Sequence, residues 1–227
     1  MTMAVAVVPA VTVLQLDTNF PRIMGDVGCP QTYVNTSEIL PIPLATVAQI
    51  VHSDPASIDM TPFEEALLQA KGDVIVTSCG FLSYWQNHLA QLIDRPFISS
   101  SLIQLPALIE RYRPKDILTI TFDADKLNQN HYGAHETDII GLPHDIHLRQ
   151  VISQDLTILD AERAAREITD FIASHTKPHH KHILLECTNL PPYKQAIAAK
   201  TGLPITDILT SIEALRPHTI HPHFINH

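Results

Sequence analysis

Cysteine is scarce. Three residues in 227 are too few, and odd in number, for the disulfide framework of a secreted domain. Runs of Lys or Arg are absent and the formal charge is −9, a balance that excludes nucleic acid and an anionic membrane as main partners. No stretch is apolar for long enough to span a bilayer. The apolar opening, residues 3–16, is too short and has no basic segment before it, so it reads as leading into a buried strand and not as a signal peptide. A cytoplasmic location is expected on these grounds. There is no HExxH and no paired Cys/His spacing, although histidines number 14. They gather in 179–182 and 218–227, beside prolines and polar residues that suit solvated loops, so no metal site is expected. Low-complexity tracts and long linkers are missing too.

What is present is a repeat. Segment 75–97 overlays segment 183–205 without a gap, at an offset of 108 (187 − 79). Ile75, Cys79, Leu82, Ala90 and Pro96 fall on Ile183, Cys187, Leu190, Ala198 and Pro204; Trp85 meets Tyr193 and Leu89 meets Ile197. A weaker echo lays 117–123 over 11–17, at an offset of 106 (117 − 11). Two copies of a strand–Cys–helix–Pro–strand unit imply two similar halves about a pseudo-twofold axis. Such an axis sets the two thiols face to face across one cleft.

Apolar runs of strand length alternate with helical patterns, the pattern of an α/β protein with parallel sheets. Strands are expected at 11–16, 73–77, 96–99, 117–122, 182–185 and 205–208. Helices are expected at 62–71, from Cys79 to about 93, and at 101–113, 159–175, 191–202 and 210–216. Thr61 suits an N-cap and Pro62 a first helical position. Asp160 suits the cap of the long helix, and Pro106 a kink. The expected architecture is two parallel-sheet α/β halves, residues 1–113 plus 207–227 and residues 114–206, with the active site in the cleft between them.

Each repeated cysteine ends a strand just before a helix, the edge where open parallel sheets bind ligands. There the helix's free N–H groups are expected to lower the thiol pKa and to hold a carboxylate. Gly80 allows close backbone approach; Thr188 and Asn189 add donors. A lone cysteine at a strand end is more often a small buried hydrophobe, and it is the matched pair that points to catalysis. Cys29 has no repeat partner and reads as structural. Glu186 is expected to turn away, because its charge would raise the thiol pKa. Arg22 either meets a substrate carboxylate or pairs with Asp26 to fix its loop. His88 and His131 read as surface or packing groups, and 99–101 as the cap of the helix at Leu102.

Four segments resemble one superfamily: Phe20-Pro-Arg-Ile-Met-Gly-Asp-Val-Gly28, Thr77-Ser-Cys-Gly-Phe-Leu82, Ser99-Ser-Ser-Leu102 and Glu186-Cys-Thr-Asn-Leu-Pro-Pro-Tyr193. It is the aspartate/glutamate racemase superfamily, which includes hydantoin racemases, maleate isomerases and arylmalonate decarboxylases. The resemblance implies a cofactor-independent enzyme with Cys79 and Cys187 as the acid/base pair. It implies Gly80, Thr121, Thr188 and Asn189 around the substrate; Phe81 either adds an apolar surface beside it or packs in the core. The expected activity is a racemase or epimerase acting at the carbon α to a carboxylate. The alternatives are a Cys-dependent isomerase or decarboxylase of a dicarboxylic acid, and a non-catalytic protein that binds a small carboxylate. The expected partner is that small carboxylate, and a homodimer is compatible with the sequence. Amino-acid racemases of the superfamily carry Asn-Thr or Asn-Ser after the first cysteine. Gly80-Phe81 stands there instead, so weaker preference for aspartate and glutamate is expected, with more tolerance of an apolar or cyclic side group.

Overall fold

Eight strands carry the repeat in the computed structural model, which describes residues 8–225. Residues 3–7 of the apolar opening, and residues 226–227 of the histidine-rich end, lie outside that range. The strands are β1 (Val11–Leu16), β2 (Ser37–Ile42), β3 (Val74–Thr77), β4 (Phe97–Ile98), β5 (Ile117–Thr121), β6 (Asp138–Gly141), β7 (His182–Leu185) and β8 (Ile205–Thr206). They form two four-stranded sheets, ordered β2-β1-β3-β4 and β6-β5-β7-β8, and all pairings are parallel. The registers repeat as the sequence does: Ile75 pairs with Phe97, and Ile183 with Ile205. β1, β3, β5 and β7 are almost wholly buried, as expected of strands covered on both faces.

The edge strands β2 and β6 depart from the expected set. Both are half-exposed, and β2 contains Pro41, which a sheet tolerates at an edge. The helices are also shorter than expected. After Cys79 comes a 3-10 helix, Gly80–Trp85, and then an α-helix only over Gln86–Ala90. Segment 101–109 is a 3-10 turn followed by the helix Leu105–Ile109, with Pro106 in its first turn. Pro106 therefore starts a helix and kinks none. The helix Thr61–Gln69 follows Met60 as cap, one residue earlier than expected. Ser100 caps Leu102, and Asp160 caps the helix Ala161–His175 through the Arg163 N–H.

One apolar cluster runs through both halves, from Leu14 and Ile75 to Ile120 and Ile183. A second covers the other face of the first sheet. There Val11, Val13, Val74, Val76 and Ile98 meet Ile208, Leu209 and Ile212 of the last helix, Ile208–Leu215. The chain thus leaves β8 and returns to the first sheet. A buried ion pair marks the return: Lys194 Nζ lies 3.3 Å from Asp207, which caps that helix. Among the described residues no helix is long and apolar enough to cross a membrane.

The halves are joined at two levels. At the floor, Thr188 donates to the Ser78 carbonyl (2.6 Å) and Ser101 to the Leu185 carbonyl (2.7 Å), both buried. At the rim, Asp155 accepts from the Asn19 backbone (2.6 Å), the Asn19 side chain (2.8 Å) and the Phe20 backbone (3.0 Å), and Asn128 donates to the Ser53 carbonyl (2.6 Å).

Candidate active site

The carboxyl ends of β3 and β7 face one cleft. One residue separates each strand from its cysteine, where the chain turns, closed by the Leu82 N–H to the Cys79 carbonyl (3.2 Å) and by the Leu190 N–H to the Cys187 carbonyl (3.1 Å). Cys79 and Cys187 both line a small cavity of about 30 Å³, with Leu16, Phe20, Val47, Val51, Phe122 and Ile152 forming apolar walls. Gly80, Phe81, Thr188 and Asn189 also line it. Thr121 does not: it is fully buried behind the wall, and its hydroxyl is donated to Glu186 at 2.6 Å.

The polar members are already tied into a network. Asn189 donates to Asp26 (2.6 Å), and its carbonyl oxygen lies 3.7 Å from the Cys187 sulfur as acceptor. Asp26 also accepts from Arg22 (3.1 Å) and from the Gly28 N–H (2.7 Å). Arg22 is thus committed to its own loop, and it stacks over Phe20 at 4.6 Å. The Arg22–Asp26 pair fixes the loop, orients Asn189 and so reaches Cys187 through one amide. Phe81 is buried, and its ring meets His131 edge-on at 5.0 Å, so it is both wall and core. His88 pairs with Glu64 on the surface, and His131 is absent from the cavity wall.

Glu186 departs from expectation. It lines the cavity and is 1% exposed. Its Oε2 accepts the Thr121 hydroxyl, while Oε1 has no hydrogen-bond partner among the described residues. Gly80 makes room for it, since a Cβ there would collide with the Glu186 carboxylate. Close approach of Glu186, and not of a ligand, is what demands glycine at this position. Burial pushes the Glu186 carboxyl up to about 7, against the opposing pull of the Thr121 hydroxyl and the Phe122 backbone.

The thiols also depart from expectation. Burial first, and then the charge of Glu186, push Cys79 up to about 12. The same two causes hold Cys187 well above the ordinary thiol range. Backbone contacts at Phe81 and Asn189 pull the other way but are outweighed. Desolvation wins because both sulfurs are buried and neither cysteine adjoins the first turn of an α-helix, which begins only at Gln86 and at Lys194. Glu186 was legible as a residue beside Cys187. What hid its direction was the missing side chain at Gly80, 106 positions away.

No protein-family model matches the chain. By sequence it is similar to dimethylsulfoniopropionate lyase 7 of Emiliania huxleyi (strain CCMP1516), 28% identical over 222 residues that cover 89% of this chain and 65% of that protein. The chain therefore spans about 65% of the length of that curated relative. By structure it is similar to the allantoin racemase of Pseudomonas fluorescens, with a TM-score of 0.59, 12% identity and 90% of each chain covered. It is also similar to a glutamate racemase from Bacillus anthracis, with a TM-score of 0.55, 14% identity, and 93% of this chain and 84% of that one covered. The α/β fold of two parallel four-stranded sheets matches these racemases: the chain has the fold of the aspartate/glutamate/hydantoin racemase superfamily.

Proposed function

We propose that this protein is a cofactor-independent enzyme that removes the proton from a carbon α to a carboxylate and returns one to the opposite face, as a racemase or epimerase. The observation that carries this reading is a pair of thiols, Cys79 and Cys187, one from each half, on one cleft. One sulfur, as thiolate, takes the α-proton; the other, as thiol, delivers its proton from the other side. A planar intermediate presents one face to each half, which is what a pseudo-twofold pair of acids can serve. N–H groups beyond each cysteine hold the carboxylate and the charge that spreads onto it, while Thr188 and Asn189, tied to Ser78 and Asp26, hold the second loop in place. Phe81 and the apolar walls exclude water and accept an apolar or cyclic side group. Thr121 acts at one remove, by holding Glu186.

A second reading, elimination, is favoured by the similarity to a dimethylsulfoniopropionate lyase. Where a sulfonio group sits β to a carboxylate, loss of the α-proton lets the C–S pair depart. The Cα–H bond breaks, a carbon–carbon double bond forms, and dimethyl sulfide leaves acrylate behind. This needs a single thiolate base in the same cleft.

One experiment separates the readings. The protein is incubated in heavy water with each enantiomer of aspartate and glutamate, a substituted hydantoin, an aryl-substituted malonate and dimethylsulfoniopropionate. Deuterium at the α-carbon with loss of optical rotation supports the racemase. Release of dimethyl sulfide and acrylate supports the lyase. No turnover, with both thiols inert to alkylation well above neutral pH, overturns both in favour of simple carboxylate binding.

A further inference from the structure

Glu186 is a cleft-lining group that the thiol pair leaves unused. It directly precedes Cys187, yet its carboxylate reaches Gly80, which directly follows Cys79. The carboxyl therefore bridges the two cysteine loops, one from each half. Oε2 is held by Thr121 at 2.6 Å, while Oε1 is buried and without a partner among the described residues. A buried oxygen with free lone pairs is costly in an apolar cleft, and a proton relieves that cost. Both thiols line the same cavity as Glu186, and its charge acts on each of them. Two charges act on those thiols from the 18–28 loop, Arg22 on Cys79 and Asp26 on Cys187, and they are paired with each other at 3.1 Å. Behind Phe122, Arg149 and Asp123 are likewise paired, at 3.2 Å. Glu186 is the unpaired carboxylate of the set.

We propose that Glu186 is the proton acceptor that turns the buried thiols into bases, so that Glu186, Cys79 and Cys187 share one negative charge. This deepens the thiol reading and rests on it. In the step, a thiol S–H bond breaks and an O–H bond forms at Glu186 Oε1. The negative charge moves from oxygen to sulfur; nothing is oxidised or reduced, and no new charge enters the cleft. The transfer is uphill, because the thiols are held above the carboxyl, but ionisation to water beside an ionised Glu186 would leave two buried negative charges where the transfer leaves one. Groups so close titrate as a set and not one by one.

The test needs no substrate. In a Cys29→Ser background, iodoacetamide labelling of Cys79 and Cys187 is followed by mass spectrometry from acid to alkaline pH. The parent profile should show a limb near neutrality, where Glu186 loses its proton and becomes able to accept one, and then a steeper alkaline rise. Glu186→Gln should abolish the neutral limb. It should also move the alkaline rise down by about one pH unit, because the charge that keeps the thiols protonated is gone. Thr121→Val keeps the carboxylate but removes a bond that favours its ionised form, so the neutral limb should move to higher pH. A parent profile without a neutral limb, or a limb that persists in Glu186→Gln, overturns the proposal. A neutral limb that responds to both variants, in a protein that turns over nothing in the heavy-water panel, sustains proton sharing and fails the enzymatic reading alone.

Discussion

Ser78 and Glu186 stand at the same place in the two halves, and they meet the same backbone requirement with different chemistry. The Ser78 N–H bonds the Leu14 carbonyl at 3.0 Å, and the Glu186 N–H bonds the Ile120 carbonyl at 2.9 Å. The Ser78 hydroxyl accepts the Leu16 N–H at 2.9 Å; Glu186 takes up the end of β5 through the Thr121 hydroxyl and the Phe122 backbone. That duty occupies the one oxygen a hydroxyl has. A carboxylate has an oxygen left over, and here it points into the cleft. The next positions diverge in the same sense: Gly80-Phe81 in the first half, Thr188-Asn189 in the second. The first half supplies wall and space, and the second supplies charge and donors. The backbone symmetry places two thiols, and the side chains then make their surroundings unequal.

The comparison can be broken at the cysteines, where the halves agree. Cys79→Ser and Cys187→Ser should each lower racemisation about a thousandfold, ~4 kcal/mol of barrier, while one enantiomer still exchanges its α-proton. Chiral chromatography after incubation in heavy water reads both quantities, and full racemisation by either variant would end the two-thiol mechanism. Next comes Gly80→Thr, which copies Thr188 into the first half. It drives a side chain into the Glu186 carboxylate and should cost about 3 kcal/mol in urea unfolding; unchanged stability would mean that Glu186 is not where it is described.

A fourth variant sharpens the contrast away from the cleft. His182 stands where the first half has Val74. Burial, followed by the charges of Lys194 and Arg111, lowers its pKa to about 4. A histidine kept neutral in the fold binds fewer protons than in the unfolded chain. Stability is therefore complete above the unfolded pKa and falls as the pH drops toward the folded one. From pH 7 to 5 the loss should be about 2 kcal/mol, and His182→Val should remove that share of the acid slope. Denaturant midpoints at the two pH values decide it. The smallest effect is expected for Asn189→Ala. It leaves one Asp26 oxygen without the amide N–H and should cost about 1 kcal/mol; a neutral result would show Asn189 to be free for substrate alone.

Much of this was legible from residues at a fixed spacing. β3 and β7, β4 and β8, and both cysteines sit at the offset of 108 that the sequence shows. Buried apolar strands announce themselves, and so do caps such as Asp160 and Ser100, because the residue type is the mechanism. β2 and β6 did not. Half-exposed edge strands carry a mixed pattern, and Pro41 argues against a strand until the edge is known. The helix after Cys79 was overdrawn because a 3-10 turn and an α-turn share apolar spacing over so few residues. Within the site, the residues were readable and their directions were not. Glu186 turns inward because a glycine in the other half makes room, and Thr121 is spent on Glu186. Thiol pKa depends on depth, which no local motif records.

The bonds between the halves differ in their exposure to water. Those at the floor, Thr188 to Ser78 and Ser101 to Leu185, are buried. Those at the rim, at Asn19 and Asn128, are exposed, and water can replace an exposed bond at little cost but not a buried one. The bonds at the ends of β3 and β7 are therefore a spine that water cannot undo, and Asp155 is a clasp that it can. Because the clasp also holds the Phe20 backbone, its loss would release an apolar wall of the cavity that both thiols line.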